Sequence, residues 1–131
     1  MPGETDLSQL LKSLKPILTD EAFVFCTVPA SSENYLAWDP ISTFLESEGR
    51  SLILTKRQAD DAGLPYEAVF RQITLSVHSS LSAVGLTAEI SSQLARRSIS
   101  ANVVAAYHHD HVYVPAERAD EALTLLEELG K

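Results

Sequence analysis

The sequence predicts an α+β protein whose helices pack on antiparallel sheet, built as two related modules in tandem. Three observations lead there. Segments with strand-like alternation and segments with helical spacing follow one another along the chain, in the order β-α-β-β-α from Val69 to Leu129. A shift of sixty places lays residues 52–62 on 112–122, with Ala59/Ala119, Asp60/Asp120 and Ala62/Ala122 identical. Hydrophobic residues make up 45% of the 131, enough for a buried core without a disulfide or metal staple.

The elements can be justified in order. Leu7, Leu10, Leu11 and Leu14 form one apolar stripe at helical period, with Asp6 and Gln9 placed as a capping box and Pro16 as the stop. A turn at Thr19-Asp20 precedes a strand from Ala22 to Val28, closed by Pro29. Residues 29–50 are the least regular stretch, where Ile41, Phe44 and Leu45 fit one face of a short helix. Ser51–Leu54 reads as a strand. Lys56–Ala62 reads as a helix with Thr55 and Gln58 as capping box, Gly63 as stop and Pro65 beyond it.

In the second half, Val69, Ile73, Leu75 and Val77 share one parity, which predicts a strand with one buried face. A loop of small residues from Ser79 to Gly85 leads into a helix with Leu86, Ile90 and Leu94 at i, i+4 and i+8. Ser100–Tyr107 and His111–Val114 form a hairpin around His108-His109-Asp110. Pro115 opens the last helix at its favoured first position, and that helix buries Ala119, Ala122, Leu123, Leu126 and Leu129. With one more strand, this half follows the ferredoxin-like βαββαβ plan, and either Lys15–Asp20 or Ala22–Val28 can supply that strand.

Charge and cysteine content narrow the function. Ten Lys+Arg against 18 Asp+Glu give −8, and the basic residues are too scattered to form a nucleic-acid patch. A single cysteine, Cys26, fits a reducing cytosol rather than a disulfide framework. Apolar runs fall far short of a membrane span, and Glu4, Asp6, Lys12 and Lys15 interrupt any signal-peptide core. A cytoplasmic protein is expected, with neither nucleic acid nor membrane as partner.

Catalytic constellations are not apparent: there is no Gly-x-Ser-x-Gly elbow, Walker loop or Gly-x-Gly-x-x-Gly. No enzyme is expected, and no cofactor. His108, His109, Asp110 and His111 carry metal-ligand chemistry, but in a tight turn their side chains diverge, so a polar turn is the plainer reading. The Ser79–Gly85 loop is the better candidate. It ends a strand and feeds a helix, whose free N–H groups suit a carboxylate or phosphate. Ser79, Ser80, Ser82 and Gly85 allow close approach to the backbone. Asn102, expected to be buried in a Val-rich strand, needs a structural partner or a ligand for its amide.

The stretch from Ser79-Ser80-Leu81 through Val84-Gly85-Leu86-Thr87 and Ser98-Ile99-Ser100 to Tyr107, Asp110-His111 and Val114-Pro115 resembles an ACT domain. It is similar to the tandem ACT modules of small bacterial regulators of amino-acid metabolism, and to the regulatory ACT domains of aspartokinases. The resemblance is strongest from Phe70 to Leu126 and implies two modules, 1–66 and 67–131. It further implies an amino-acid effector at an interface between modules. The effector would be held by the loop (Ser79, Ser80, Leu81, Val84, Gly85, Leu86) and by the second strand's start (Ser100, Asn102, Val103). Where aspartokinases have Ile-Asn-Ile, this chain has Ile99-Ser100-Ala101, so the identity of the ligand does not carry over. A ligand ammonium would fall to carbonyls of the strand or to Asp110. Paired sheets imply a homodimer, and a partner enzyme is a further expectation. Three functions are weighed: an amino-acid sensor, a ligand-free docking module that regulates an enzyme, and a metal protein using residues 108–111.

Overall fold

The strand expected from Ala22 begins earlier, so that β1 runs from Ile17 to Val28. In the computed structural model, residues 11–76 and 85–131 are described. The helix expected from Asp6 lies largely outside them, although Leu14 at its end is buried. Along the chain β1 is followed by a 3-10 helix (Asn34–Trp38), β2 (Ser42–Glu46), β3 (Gly49–Thr55), α1 (Lys56–Ala62) and β4 (Phe70–Leu75). Then come α2 (Leu86–Arg96), β5 (Asn102–Ala105), β6 (Asp110–Pro115), a 3-10 turn (Ala116–Arg118) and α3 (Ala119–Leu129). Two compact units divide the chain: Asp20–Phe70 is contiguous, and the other is split, taking the chain up to Thr19 and again from Arg71.

In the contiguous unit the strand order is β2-β3-β1, with both pairs antiparallel. The register opposes Val24 to Leu54 and Cys26 to Leu52, so these four share a face. They bury against Ala59 of α1, with Tyr35, Trp38, Leu64, Tyr66 and Val69 at the margin. Phe25 stands on the other face opposite Ile53, and its ring meets Phe70 edge-on at 5.1 Å between centroids. The short helix expected around Ile41–Leu45 is a correction: these residues lead into and form β2. Glu46 pairs with Gly49 across Ser47-Glu48, a hairpin closure that propensity alone did not reveal.

α1 forms as its caps dictate. Thr55 Oγ1 accepts from Gln58 N at 3.1 Å, while Gln58 Oε1 accepts from Thr55 N at 2.8 Å. Gly63 takes the left-handed conformation, φ 72°, and the Leu64 N–H closes on Ala59 O at 2.9 Å. Thr55→Ala removes the acceptor of this box and is expected to cost about 1 kcal/mol in denaturant unfolding.

In the split unit the order is β1, through Ile17–Thr19, then β4, β6 and β5. The extra strand of the ferredoxin-like plan is therefore the start of β1, and helices α2 and α3 supply its helical layer. The core unites Ile73 and Leu75 of β4, Val112 and Val114 of β6, Leu86, Ile90 and Leu94 of α2, and Ala119, Ala122 and Leu126 of α3. Leu14 joins them, with Leu11 and Leu18 packed alongside.

Several local expectations are corrected here. Thr19 is not in a turn. Its hydroxyl donates to Gln72 Oε1 at 2.9 Å, and its carbonyl accepts from the Arg71 guanidinium at 2.7 and 3.0 Å, which holds the chain extended. Pro115 ends β6 and caps a 3-10 turn instead of opening α3. Nor is only one parity of β4 buried: Gln72 is 5% exposed and donates to the Tyr113 hydroxyl at 2.7 Å, so its amide is bonded at both ends.

Candidate functional site

The helix start singled out from the sequence is α2. Gly85 precedes it at φ 99°, a left-handed conformation that favours glycine, and makes no side-chain cap. The Gly85 carbonyl accepts from Glu89 N at 2.9 Å, the first turn's own bond, and Leu86 turns into the core at 2% exposure. Among the described residues no side chain caps this start, so the N–H groups of the first turn are donors available to an anion. Ser79, Ser80, Leu81 and Val84 lie outside the described residues.

Topology sorts the remaining candidates into two ends of the split unit. β4 ends at Leu75, the chain re-enters at Gly85, and α2 carries it back over 11 residues, roughly 16 Å of helix. Ser100 follows directly after the helix C-terminus, where Ile99 N bonds Leu94 O at 3.0 Å. β5 then returns, so Asp110, paired with Ala105 at the hairpin end, shares the end of the unit on which α2 opens. Gly85, Leu86 and Asp110 thus lie at one end, and Ser100, Asn102 and Val103 start from the other. Asn102 is exposed rather than buried. Opposed to Tyr113, it stands on the face away from the helices, so its amide needs no protein partner. Val103, opposed to Val112, faces the core.

The histidine turn is partly organised. His111 Nδ1 lies 3.0 Å from Thr74 Oγ1 on the sheet face that also carries Gln72 and Tyr113. His109 Nδ1 is buried without a hydrogen-bond partner among the described residues, and its ring centroid is 6.5 Å from that of His111. Among the described residues no three histidine, cysteine or acidic side chains are gathered to hold a metal. Cys26 is buried, and burial raises its thiol pKa, which keeps it protonated and a poor nucleophile.

Burial, reinforced by the charge of His109 and opposed by Asp110, holds the His111 pKa below the usual histidine value of 6.5. The unfolded chain therefore binds that proton more readily, and stability contributed by neutral His111 is lost as pH falls below about 6.5. Denaturant midpoints measured between about pH 7.5 and 5 should fall, and His111→Gln should flatten the slope.

Residues that the sequence reading missed are Gln72, Thr19 and Thr74. The signal available was a polar residue recurring at every second position of β4, read there as a solvated face.

The fold and the arrangement of these elements define the class first: a duplicated, ferredoxin-like α+β protein. The chain belongs to the ACT-domain family, with one ACT-domain model matching residues 2–71 and a second matching 67–128. A Vibrio cholerae protein of unknown function, described as a possible transport protein, is 46% identical over 98% of this chain and 99% of its own, with a TM-score of 0.89. The regulatory subunit of aspartate kinase from Thermus thermophilus, in its ligand-free form, shares the fold at 13% identity. That match covers 91% of this chain and 99% of that one, with a TM-score of 0.60. Clostridium acetobutylicum aspartate kinase aligns over 88% of this chain and 34% of its own, at 9% identity and a TM-score of 0.65. No curated protein matches the chain. Among the described residues no helix is long and apolar enough to cross a membrane.

Proposed function

We propose that this protein is a non-catalytic, cytoplasmic sensor that binds a free amino acid through its ACT modules and acts as a homodimer. The observation that carries the reading is the start of α2 at Gly85, with no side-chain cap among the described residues, within a tandem ACT chain. The ligand carboxylate meets the N–H groups there, with Ser79, Ser80, Leu81 and Val84 completing the loop, Leu86 anchoring its end in the core, and Asp110 at the same end taking the ammonium. Ser100, Asn102 and Val103 begin at the opposite end of the unit, which favours a site completed by a second copy of the chain. The module boundary is read at 66/67, in keeping with matches to 2–71 and 67–128. Ligand binding at such an interface shifts the association geometry, and that shift is the signal a partner enzyme reads.

A thermal-shift screen against the twenty amino acids tests this. An effector at a hundred times its Kd adds about 2.7 kcal/mol, a rise of about 10 °C for a chain of this length. The rise should vanish in Asp110→Asn and in Gly85→Trp, the first of which leaves the backbone at Gly85 untouched.

A second reading has its own observation. Around the edge strand β2, Phe44 and Leu36 are each 71% exposed, with Ile41 and Leu45 exposed nearby. Such an edge suits a docking module that regulates an enzyme by strand pairing without a ligand. A flat amino-acid screen, with partner binding abolished by Phe44→Lys, would favour it.

A further inference from the structure

The split unit carries a cavity of about 420 Å³ at the end where β4 stops and α3 finishes. Its floor is apolar: Leu14 and Leu126 are fully buried beneath it, and Pro16 and Ile17 form one wall. Ile17 remains 58% exposed, an isoleucine left uncovered at the mouth of a pocket. The charged lining consists of Lys12, Lys15 and Glu127.

Among the described residues, Lys56, Arg57, Arg97 and Arg118 are paired with carboxylates, while Arg50 lies over the Tyr35 ring and Arg71 bonds the Thr19 carbonyl. Lys12 and Lys15 have no carboxylate partner among the described residues, and both line the same cavity. Lys15 also adopts φ 42°, a conformation that non-glycine residues rarely take. Ser76 holds the chain there: its N–H donates to Leu14 O at 2.8 Å and its hydroxyl to Lys15 O at 3.2 Å. The strained turn is thus pinned to the end of β4, where Lys12 and Lys15 border an apolar hollow.

We propose that this cavity is a second ligand site, for a small monocarboxylate with an apolar body. Two ammonium groups provide charge-assisted donors for both carboxylate oxygens. The hydrocarbon lies over Pro16, Ile17 and Leu126. Glu127 leaves the lining with a net charge of one positive unit, which fits a monoanion and opposes a second carboxylate. The proposal does not rest on the amino-acid reading, since none of these residues belongs to the effector site proposed above.

Titration of the full chain with hexanoate, hexylamine and hexanol, followed by calorimetry and by amide chemical shifts, tests it. Hexanoate alone should saturate, with shifts centred on Lys15–Ile17 and Ser76. The double variant Lys12→Gln/Lys15→Gln should weaken it about ten-fold or more, the equivalent of two surface charge contacts. Ile17→Asp, at an exposed position, should do the same, whereas Asp110→Asn should leave hexanoate binding unchanged. Equal binding of the three probes overturns the proposal. So does an unchanged hexanoate affinity in the double variant, or a lack of saturation at tens of millimolar hexanoate.

Discussion

Gly49→Ala is expected to destabilise the protein by about 3 kcal/mol, a fall of about 10 °C in Tm. A methyl group at Gly49 would sit 2.6 Å from the Val28 carbonyl oxygen and 3.3 Å from Thr27 Oγ1. Neither neighbour can yield cheaply. Val28 is tied by the β1–β3 register to Arg50, and Glu46 pairs with Gly49 itself, so any retreat of the backbone breaks a ladder. The φ of 155° adds strain for a residue with a Cβ. Gly63→Ala is the informative control, because nothing lies within 4 Å of its Cβ position. It should cost only about 1 kcal/mol, the strain of φ 72° alone. Chemical denaturation of both variants checks the contrast, and equal losses would mean that the clash at Gly49 is relieved.

Leu94→Ala should cost a similar amount, about 3 kcal/mol, by a different mechanism. Leu94 is 0% exposed, the last residue of the α2 stripe with Leu86 and Ile90, and it packs into the core formed by β4, β6 and α3. Truncation removes buried apolar surface and leaves a cavity that two helices and a sheet cannot close. Its carbonyl, which accepts from Arg97 and Ile99 N–H groups, is retained, so the helix end should persist. Leu36→Ala, at 71% exposure, should change stability by less than about 0.5 kcal/mol. Unfolding midpoints with unchanged m-values would verify that the loss lies in the native state.

The parts of the fold legible in the sequence were those in which local chemistry and tertiary structure agree. Thr55, Gln58 and Gly63 specify both ends of α1 without help from the rest of the chain. Leu86, Ile90 and Leu94 declare the buried side of α2, and the repeat of 52–62 in 112–122 marks the two places where a strand hands over to a helix. Thr19-Asp20 and Ile41–Leu45 misled because their local preferences are weak and the outcome rests on neighbours distant in sequence. Gln72 and Arg71 hold Thr19 extended, and the Glu46–Gly49 closure makes β2 a strand. Of the candidate site, Gly85 was legible as the end of a small-residue loop that feeds a helix. Asn102 was not, since a Val-rich strand reads as buried whether it lies inside the sheet or, as β5 does, at its edge. Polar residues such as Gln72 look solvated until a partner like Tyr113 is found 41 positions away.

The split unit takes its Leu14 and Leu18 from one side of residues 20–70 and the rest of its core from the other. Its closure therefore requires a long loop to be gathered first, an entropic cost of about 3.5 kcal/mol if that loop were a flexible coil. The contiguous unit, by forming its own hairpins and core, shortens that loop before the outer strands meet. On a growing chain Leu14 and Leu18 must wait, uncovered, until α2, β6 and α3 have been made. A chain cut between residues 66 and 67 separates them permanently from the core they complete. Residues 67–131 alone are expected to lose cooperative unfolding, and to regain it when the missing N-terminal segment is supplied in trans.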